Sequence, residues 1–239
     1  MTISTQDFLY QKYGPDIELT PLKSGTSKEI YAVTSPNNKF LVLINRHKSL
    51  ARQYRAFMSN NLQKILALRG FNAPDVIDVY NIDGHPTYCH SYVEGYQIEE
   101  LDSKTAYTIG RIVAEFHIAA NFPRIAFPSI SPRYWPCFLF KGFQNFIKRL
   151  RHRITNSLWR KLPKGICHYD LNLSNFIFSK HGVFLIDYDR HRYWPFAYEL
   201  SRFIKTEDNI KCAKDFIEGY NSIRKLTADE QKFLARLIA

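Results

Sequence analysis

The sequence predicts an α+β fold with two lobes, a small N-terminal lobe rich in strands and a C-terminal lobe that is mainly helical. Short segments rich in branched and aromatic residues, separated by turn-forming runs at 24–27 and 35–38, predict the strands. After Glu94 and Gly95, apolar residues recur at helical spacing instead. We therefore expect lobes at residues 1–95 and 96–239, in a chain long enough to bury its core without disulfides.

The N-terminal lobe is predicted to hold two helices and several short strands. Thr5 is the expected N-cap of the first helix, and Gly70 closes the second. Asp83 and Gly84 form the turn between the last two strands. In chain order the expected elements are a helix at 2–13, strands at 17–22, 29–35 and 39–45, a helix at 50–68, and strands at 76–80 and 87–93.

The C-terminal lobe is predicted to be helical around a small β insert. Ser103 can cap a helix that carries its apolar residues at helical spacing up to Ala120. A loop rich in proline and aromatic residues at 122–138 and a basic helix near 143–159 follow. Segments 166–167 and 176–179 flank a polar loop in this insert, and a short strand is expected at 183–186. The remaining expected helices are at 198–204, 210–220 and 229–237.

The composition favours a cytoplasmic protein and excludes several function classes. No apolar run approaches the ~20 residues that a membrane helix needs, and no signal-peptide pattern is visible. The four cysteines are widely scattered, without the spacing of a zinc site, and we expect them to be reduced thiols.

The net charge of the chain is +11, and the positive charge is densest in one stretch. The favoured interpretation of this stretch is a solvated helix face. The alternative is a basic rim that attracts a polyanion such as ATP. Nucleic-acid binding ranks below both, because no known nucleic-acid-binding module accompanies the stretch. The residues concerned are Lys148, Arg149, Arg151, Arg153, Arg160, Lys161 and Lys164.

One polar stretch carries the chemistry. Asp170 and Asn175 lie in a polar loop between apolar segments, and Asp187 ends the next apolar strand, so a hairpin would bring Asp187 beside Asn175. Carboxylates packed together repel each other unless a cation bridges them. Oxygen ligands of this kind suit Mg²⁺, which also binds substrate phosphates. Metal ions on phosphates, together with an aspartate that accepts a hydroxyl proton, are what phosphoryl transfer requires.

The order His168-x-Asp170-x4-Asn175, a hairpin, and Ile186-Asp187-Tyr-Asp189 resembles the aminoglycoside phosphotransferase and choline kinase superfamily. Within it, Leu162–Asp170 is similar to the segment that leads into the same motif in type II homoserine kinases. The resemblance implies a protein-kinase-like bilobal fold and an ATP- and Mg²⁺-dependent enzyme that phosphorylates a small-molecule alcohol, such as an amino alcohol, a choline-like or homoserine-like compound, or a sugar.

The resemblance also implies a role for each motif residue. Asp170 would be the catalytic base, and His168 would fix the loop that carries it. Asn175 and Asp187 would hold Mg²⁺, with Asp189 as a further metal candidate or a structural hydrogen-bonding group. Glu199 would brace the loop from the helix behind it.

The nucleotide-binding lobe resembles the family in two further places. The stretch containing Gly25, Thr26 and Ser27 is similar to the phosphate loop between the first two strands. Tyr92 and Val93 match the hinge whose backbone groups would hydrogen-bond adenine. The N-terminal lobe would thus bind the nucleotide, and the C-terminal lobe would provide the catalytic residues and the acceptor site.

One part of the family pattern is missing. The third strand usually carries a cation that pairs with a glutamate on the next helix, but Leu43 falls at that position and no glutamate occurs between Glu29 and Glu94. Losing both partners costs less than leaving one charge buried alone. Four other cations could serve instead, namely Lys28, Lys39, Arg46 and Arg52. The alternative function is a nucleotide-binding pseudokinase or scaffold.

Overall fold

A computed structural model describes residues 4–23, 28–47, 49–121, 157–205 and 209–238. They divide into two compact units, one from the described residues within 1–96 and 177–189 and the other from those within 97–176 and 190–239. Both helices and antiparallel strands are present, which confirms the α+β class.

The first unit is built on a five-stranded antiparallel sheet. Its strand order is β1-β2-β3-β5-β4, so that β3 lies at the centre of the sheet. The elements are α1 (Thr5–Tyr13), β1 (Glu18–Lys23), β2 (Lys28–Thr34), β3 (Lys39–Asn45), α2 (Leu50–Leu68), β4 (Val76–Ile82) and β5 (His85–Ser91). Burial alternates along the strands with the expected period of two, because one face of the sheet packs against a core.

Helix α1 closes part of that core. Its N-cap is Ser4, whose side chain accepts a hydrogen bond from the Asp7 N–H, and not Thr5 as the sequence suggested. Leu9 is fully buried against Val33, Val42 and other apolar residues of the sheet. The helix therefore depends on this packing more than on its own amphipathic pattern, as is common for short helices.

The hairpin after the polar loop belongs to the first unit. Its strands are β7 (Phe176–Ser179) and β8 (Gly182–Leu185), joined by a turn in which Gly182 has a φ of +118°. Phe178 pairs with Tyr96, and the Leu185 N–H donates to the Asn72 carbonyl. The division at residues 95 and 96 expected from the sequence placed this hairpin in the C-terminal lobe. The assignment of nucleotide binding and catalysis to separate lobes stays a prediction.

The second unit contains most of the helices. Its elements are α3 (Ser103–Ala119), α4 (Ser157–Lys161), β6 (Lys164–Cys167), β9 (Arg192–Pro195), α5 (Phe196–Ile204), α6 (Ala213–Ile223) and α7 (Ala228–Ile238), with short 3-10 turns at Leu173–Asn175, Tyr188–Arg190 and Ile210–Cys212, of which the second straddles the two units. The N-cap of α3 is Asp102, which accepts from the Thr105 N–H at 2.7 Å, where the sequence suggested Ser103. The proline- and aromatic-rich loop and most of the basic helix lie outside the described residues.

Helices α3 and α6 pack at very short range. A Cβ atom built on Gly110 would lie 2.1 Å from the Phe216 carbonyl oxygen, and one on Gly219 would lie 2.0 Å from the Tyr107 carbonyl oxygen. Glycine at both positions lets the two backbones touch, and side chains such as Phe116, Phe216 and Tyr220 are fully buried beside the contact. This packing fixes the helices behind the polar loop.

In the described part of the chain, no helix combines the length and apolar character needed to span a membrane.

Candidate active site

The loop that carries Asp170 follows strand β6 in the second unit. Tyr169 adopts a φ of +67°, a left-handed conformation that is uncommon for a residue other than glycine. Its N–H donates a hydrogen bond to the Glu199 carboxylate on α5. His168 is fully buried, with its ring edge-on to Phe116 at a centroid distance of 6.1 Å. The backbone of this loop is therefore held from behind, and His168 lies in the core beneath Asp170.

Glu199 belongs to a buried chain of hydrogen bonds, which we call the polar chain. The Glu199 carboxylate accepts from His117 Nε2 at 2.7 Å, and His117 Nδ1 lies 2.8 Å from the Tyr220 hydroxyl. Arg224 donates to the Tyr220 oxygen at 3.0 Å and to Glu230 at 3.0 Å. Because Arg224 occupies a lone pair of the Tyr220 hydroxyl, the hydroxyl proton can point to His117 Nδ1.

This arrangement fixes the charge states within the polar chain. Burial lowers the pKa of His117, so its ring is neutral and donates from Nε2. Burial by itself would raise the pKa of Glu199, but the hydrogen bonds from His117 and the Tyr169 N–H bring that pKa below its usual range. Glu199 is thus an ionised carboxylate that accepts a hydrogen bond from the backbone of the Asp170 loop.

Asp170 and Asn175 are brought together within the loop. The Asn175 Nδ2 donates to the Asp170 carbonyl at 2.8 Å, and Asn172 Nδ2 donates to the same oxygen at 3.0 Å. The first of these bonds orients the Asn175 amide and leaves its Oδ1 as the side-chain ligand atom. Arg190 Nη1 lies 3.2 Å from Asp170 Oδ1. The sequence interpretation did not include Arg190 or Asn172, since nothing in their spacing marks them.

The two carboxylates after β8 lie together in the first unit. Lys28 Nζ is 2.9 Å from Asp189 Oδ2 and 3.8 Å from Asp187 Oδ1. Asp187 has a φ of +62°, an unusual conformation for a non-glycine residue at the turn that follows β8. Both carboxylates are partly exposed and already paired with a cation. Their oxygen atoms fit a divalent metal ion such as Mg²⁺, for which one or two carboxylates are the usual protein ligands.

The position of the missing third-strand cation is occupied by an apolar residue. Leu43 on β3 is paired with Ile30 on β2 and Tyr88 on β5. Helix α2 instead contacts the sheet through a neutral hydrogen bond between Asn60 Oδ1 and His90 Nε2, at 2.5 Å. Burial lowers the pKa of His90 to about 4, which keeps its ring neutral at pH 7.

The remaining candidate cations have other partners. Arg46 donates two hydrogen bonds to the Glu29 carboxylate, each at 3.0 Å, and one to Thr5. Lys39 Nζ lies 4.0 Å from the centroid of the Tyr92 ring. Arg52 Nη1 lies 3.2 Å from His47 Nδ1.

The predicted hinge is a close crossing of two chain segments. A Cβ atom on Gly95 would lie 2.3 Å from the Phe178 carbonyl oxygen, so that only glycine fits there. Tyr92 and Val93, which immediately precede this crossing, are half-buried. Gly25, Thr26 and Ser27, predicted to cradle the phosphates, lie outside the described residues.

One further group of potential metal ligands is internal to the polar chain. The ligand atoms of His117, Cys167 and Glu199 lie within 4.8 Å of one another, and all three residues are buried. Both His117 nitrogens and both Glu199 oxygens already take part in hydrogen bonds. Cys167 donates to the Trp194 carbonyl, and burial raises the pKa of its thiol well above the usual value. This cluster is a structural support for the loop.

Comparisons with known proteins show which family and which solved structures the chain resembles. The family model described as "Phosphotransferase enzyme family" matches residues 18–232. A homoserine kinase from Rhizobium etli (strain CIAT 652) is 27% identical over 194 residues, which are 71% of this chain and 60% of that protein. The chain therefore spans about three fifths of the length of this relative.

Solved structures show the same fold. An aminoglycoside phosphotransferase from Alicyclobacillus acidocaldarius has a TM-score of 0.68 at 13% identity, covering 98% of this chain and 82% of that one. Amicoumacin kinase, solved with AMP-PNP, Ca²⁺ and its substrate, has a TM-score of 0.65 at 14% identity, covering 99% and 92% of the two chains. The protein-kinase-like fold expected from the sequence is confirmed. Because the family model matches most of its length, the chain belongs to the phosphotransferase enzyme family, whose members include aminoglycoside phosphotransferases.

Proposed function

We propose that this protein transfers the γ-phosphoryl group of ATP to the hydroxyl of a small molecule, in a reaction that depends on Mg²⁺. The observation that carries the proposal is the anchored loop, in which Asp170 and Asn175 are bonded to each other and the backbone of Tyr169 is bonded to Glu199. A loop fixed in this way can hold a carboxylate at one place, as acceptance of a hydroxyl proton requires.

Asp170 is the proposed proton acceptor. Arg190 occupies its Oδ1, which leaves Oδ2 to accept a hydrogen bond from the hydroxyl of the acceptor. The guanidinium thereby orients the carboxylate, and the buried His168 supports the backbone beneath it. These residues would orient the attacking oxygen and take its proton as the oxygen–phosphorus bond forms.

Asn175 and Asp187 are the proposed protein ligands for the metal ion, with Asp189 in support. Bound Mg²⁺ would neutralise the charge that develops on the phosphates during transfer. The donor set of one amide oxygen and carboxylate oxygens suits this ion. The predicted phosphate loop at Gly25, Thr26 and Ser27 and the hinge at Tyr92 and Val93 would bind the rest of the nucleotide.

The acceptor is proposed to be a small alcohol such as an amino alcohol, a homoserine-like or choline-like compound, or a sugar. Support comes from the relatives, which include a homoserine kinase and a kinase solved with amicoumacin. Purified protein with Mg-ATP and a panel of such alcohols should release ADP with at least one acceptor. The release should stop when EDTA removes the metal, and an absence of turnover with every acceptor would count against an active kinase.

A nucleotide-binding pseudokinase is the second candidate, favoured by Leu43 in place of the usual third-strand cation. A ligand that binds the native state raises the melting temperature. Stabilisation by Mg-ATP without ADP release would favour the pseudokinase. No stabilisation by Mg-ATP would argue against both nucleotide-dependent functions.

A further inference from the structure

We propose that Lys28 replaces the missing third-strand cation, and that its ammonium group moves from the Asp187 and Asp189 carboxylates to the nucleotide phosphates when the metal–nucleotide complex binds. This inference rests on the proposed function and names a residue that the family pattern does not mark. It assigns Lys28 a nucleotide-binding role beside the proposed metal ligands.

The contacts distinguish Lys28 from the other three candidates. Arg46 is held by the Glu29 carboxylate and Thr5, and Lys39 lies over an aromatic ring. Arg52 interacts with His47. Of the four, Lys28 is the one whose charged group contacts both carboxylates at the end of the hairpin.

The position of Lys28 in the chain fits the same role. It is the first residue of β2, directly after the segment predicted to form the phosphate loop. Its side chain is only 25% exposed, and it lies opposite Asn45 of β3 in the sheet. An ammonium group on a flexible stem at this place can reach alternative anionic partners without a change in the strand.

Charge balance explains why the ammonium would move. Lys28 neutralises part of the charge on Asp187 and Asp189. A divalent cation at these carboxylates would repel the ammonium, since both carry positive charge. A triphosphate brings enough negative charge to accept the displaced ammonium as a hydrogen-bonding partner. Lys28 would therefore oppose binding of the bare metal ion and favour binding of the metal–nucleotide complex.

This mechanism predicts that substituting Lys28 has opposite effects on metal binding and on nucleotide binding. In Lys28→Met, Mn²⁺ alone should bind about two- to fivefold more tightly, because a competing partly exposed ion pair has been removed. Mg-AMP-PNP should bind about ten- to a hundredfold more weakly, as expected when a hydrogen bond to a charged group is lost. Adenosine, which has no phosphates, should bind the variant and the wild type equally.

Three variants of the chain, Lys28→Met, Lys12→Met and Lys28→Arg, are each compared with the wild type, with titration calorimetry for AMP-PNP and adenosine and electron paramagnetic resonance for Mn²⁺. Lys12→Met is the matched control, because Lys12 lies in the same unit and pairs with Asp78 at 3.0 Å away from the metal carboxylates. It should match the wild type for every ligand. Lys28→Arg, which keeps the charge, should recover most of the nucleotide affinity and also serves if Lys28→Met does not fold.

The outcomes separate this inference from the proposed function. Tighter Mn²⁺ binding with weaker Mg-AMP-PNP binding supports the exchange. Unchanged affinity for both ligands, or weaker binding of both, overturns it while leaving nucleotide binding by the wild type intact. A wild type that does not bind Mg-AMP-PNP refutes the proposed function itself.

Discussion

Glu199 is the residue on which the backbone of the Asp170 loop depends. Its carboxylate is 2% exposed and accepts hydrogen bonds from both the Tyr169 N–H and His117. Tyr169 can hold its left-handed conformation because this bond compensates for the local strain. A single buried carboxylate thus connects the helical core to the loop that carries the proposed base.

Substituting Glu199 by glutamine tests this connection. The glutamine amide presents one acceptor to two donors, so that either the Tyr169 N–H or His117 Nε2 faces another donor. We expect a loss of about 1–3 kcal/mol in the free energy of unfolding, measured by urea denaturation. Glu115→Gln on α3, where the glutamate is 40% exposed, should change the free energy by less than about 0.5 kcal/mol. Equal stability of the two variants would contradict the anchoring role.

His90 predicts a pH dependence of stability. Its pKa is lowered to about 4 in the folded protein by burial and by the Lys28 ammonium, with Asp189 opposing the shift. The unfolded chain binds the proton more readily, so stability must fall as the pH drops below about 6.5. Between pH 7 and pH 5 the contribution of this histidine amounts to about 2 kcal/mol.

Urea denaturation at several pH values checks the His90 prediction. His90→Gln should show a flatter decline over this range than the wild type. The decline should not vanish, because burial lowers the pKa of His117 as well and gives a contribution of the same sign. An identical pH dependence in the variant and the wild type would show that His90 is not buried as a neutral ring.

At the scale of elements, the crossing of α3 and α6 determines where the polar chain lies. Gly110 and Gly219 bring the two backbones into contact, and His117 on α3 reaches Tyr220 on α6 across the same interface. Periodicity predicted both helices, but it could not predict that they touch. The identity of a partner helix depends on contacts between residues more than 100 positions apart.

Gly110→Ala tests this crossing. Alanine favours a helix by about 1 kcal/mol over glycine, but its Cβ would lie 2.1 Å from the Phe216 carbonyl oxygen. Overpacking costs about 1–3 kcal/mol, and a clash with a backbone atom falls at the upper end of that range. We expect a net loss of about 2 kcal/mol in the free energy of unfolding. Arg111→Ala, at the adjacent exposed position, should stay within about 0.5 kcal/mol of the wild type, and a similar result for Gly110→Ala would refute the close packing.

The elements that could be predicted were those with a strong local pattern in the sequence. The strands of the first sheet and helix α3 were evident from alternation, turns and helical spacing. Strand β9 at Arg192–Pro195 was missed, because it has only four residues and ends in proline. The membership of the β7–β8 hairpin in the first unit depends on distant contacts with Asn72 and Tyr96, which no local pattern records.

At the scale of the whole molecule, the proposed site residues have a signal in the sequence that their supporting residues lack. Asp170, Asn175 and Asp187 were proposed as site residues because three polar residues at fixed spacing stand out from apolar surroundings. Arg190 and the choice of Lys28 could not be predicted from spacing. The contact between Lys28 and Asp189, for example, spans 161 positions along the chain. The family match over residues 18–232 links these local features into one phosphotransferase fold.

The acceptor belongs to the proposed function of the whole protein. The chain spans about three fifths of the homoserine kinase that it resembles, so the acceptor of that enzyme is not carried over to this protein as an established property. The net charge of +11 belongs to the molecule as a whole and favours association with anions such as ATP. We therefore expect nucleotide binding to weaken as the salt concentration rises, as screening requires.

The most direct test of the account is a comparison of Asp170→Asn with the wild type, using the acceptor that supports ADP release. Because asparagine keeps the shape of the side chain but cannot accept the hydroxyl proton, kcat should fall at least about a hundredfold, while the Kd for Mg-AMP-PNP changes less than about threefold. An unchanged kcat in the variant would contradict the central claim that Asp170 is the base for phosphoryl transfer.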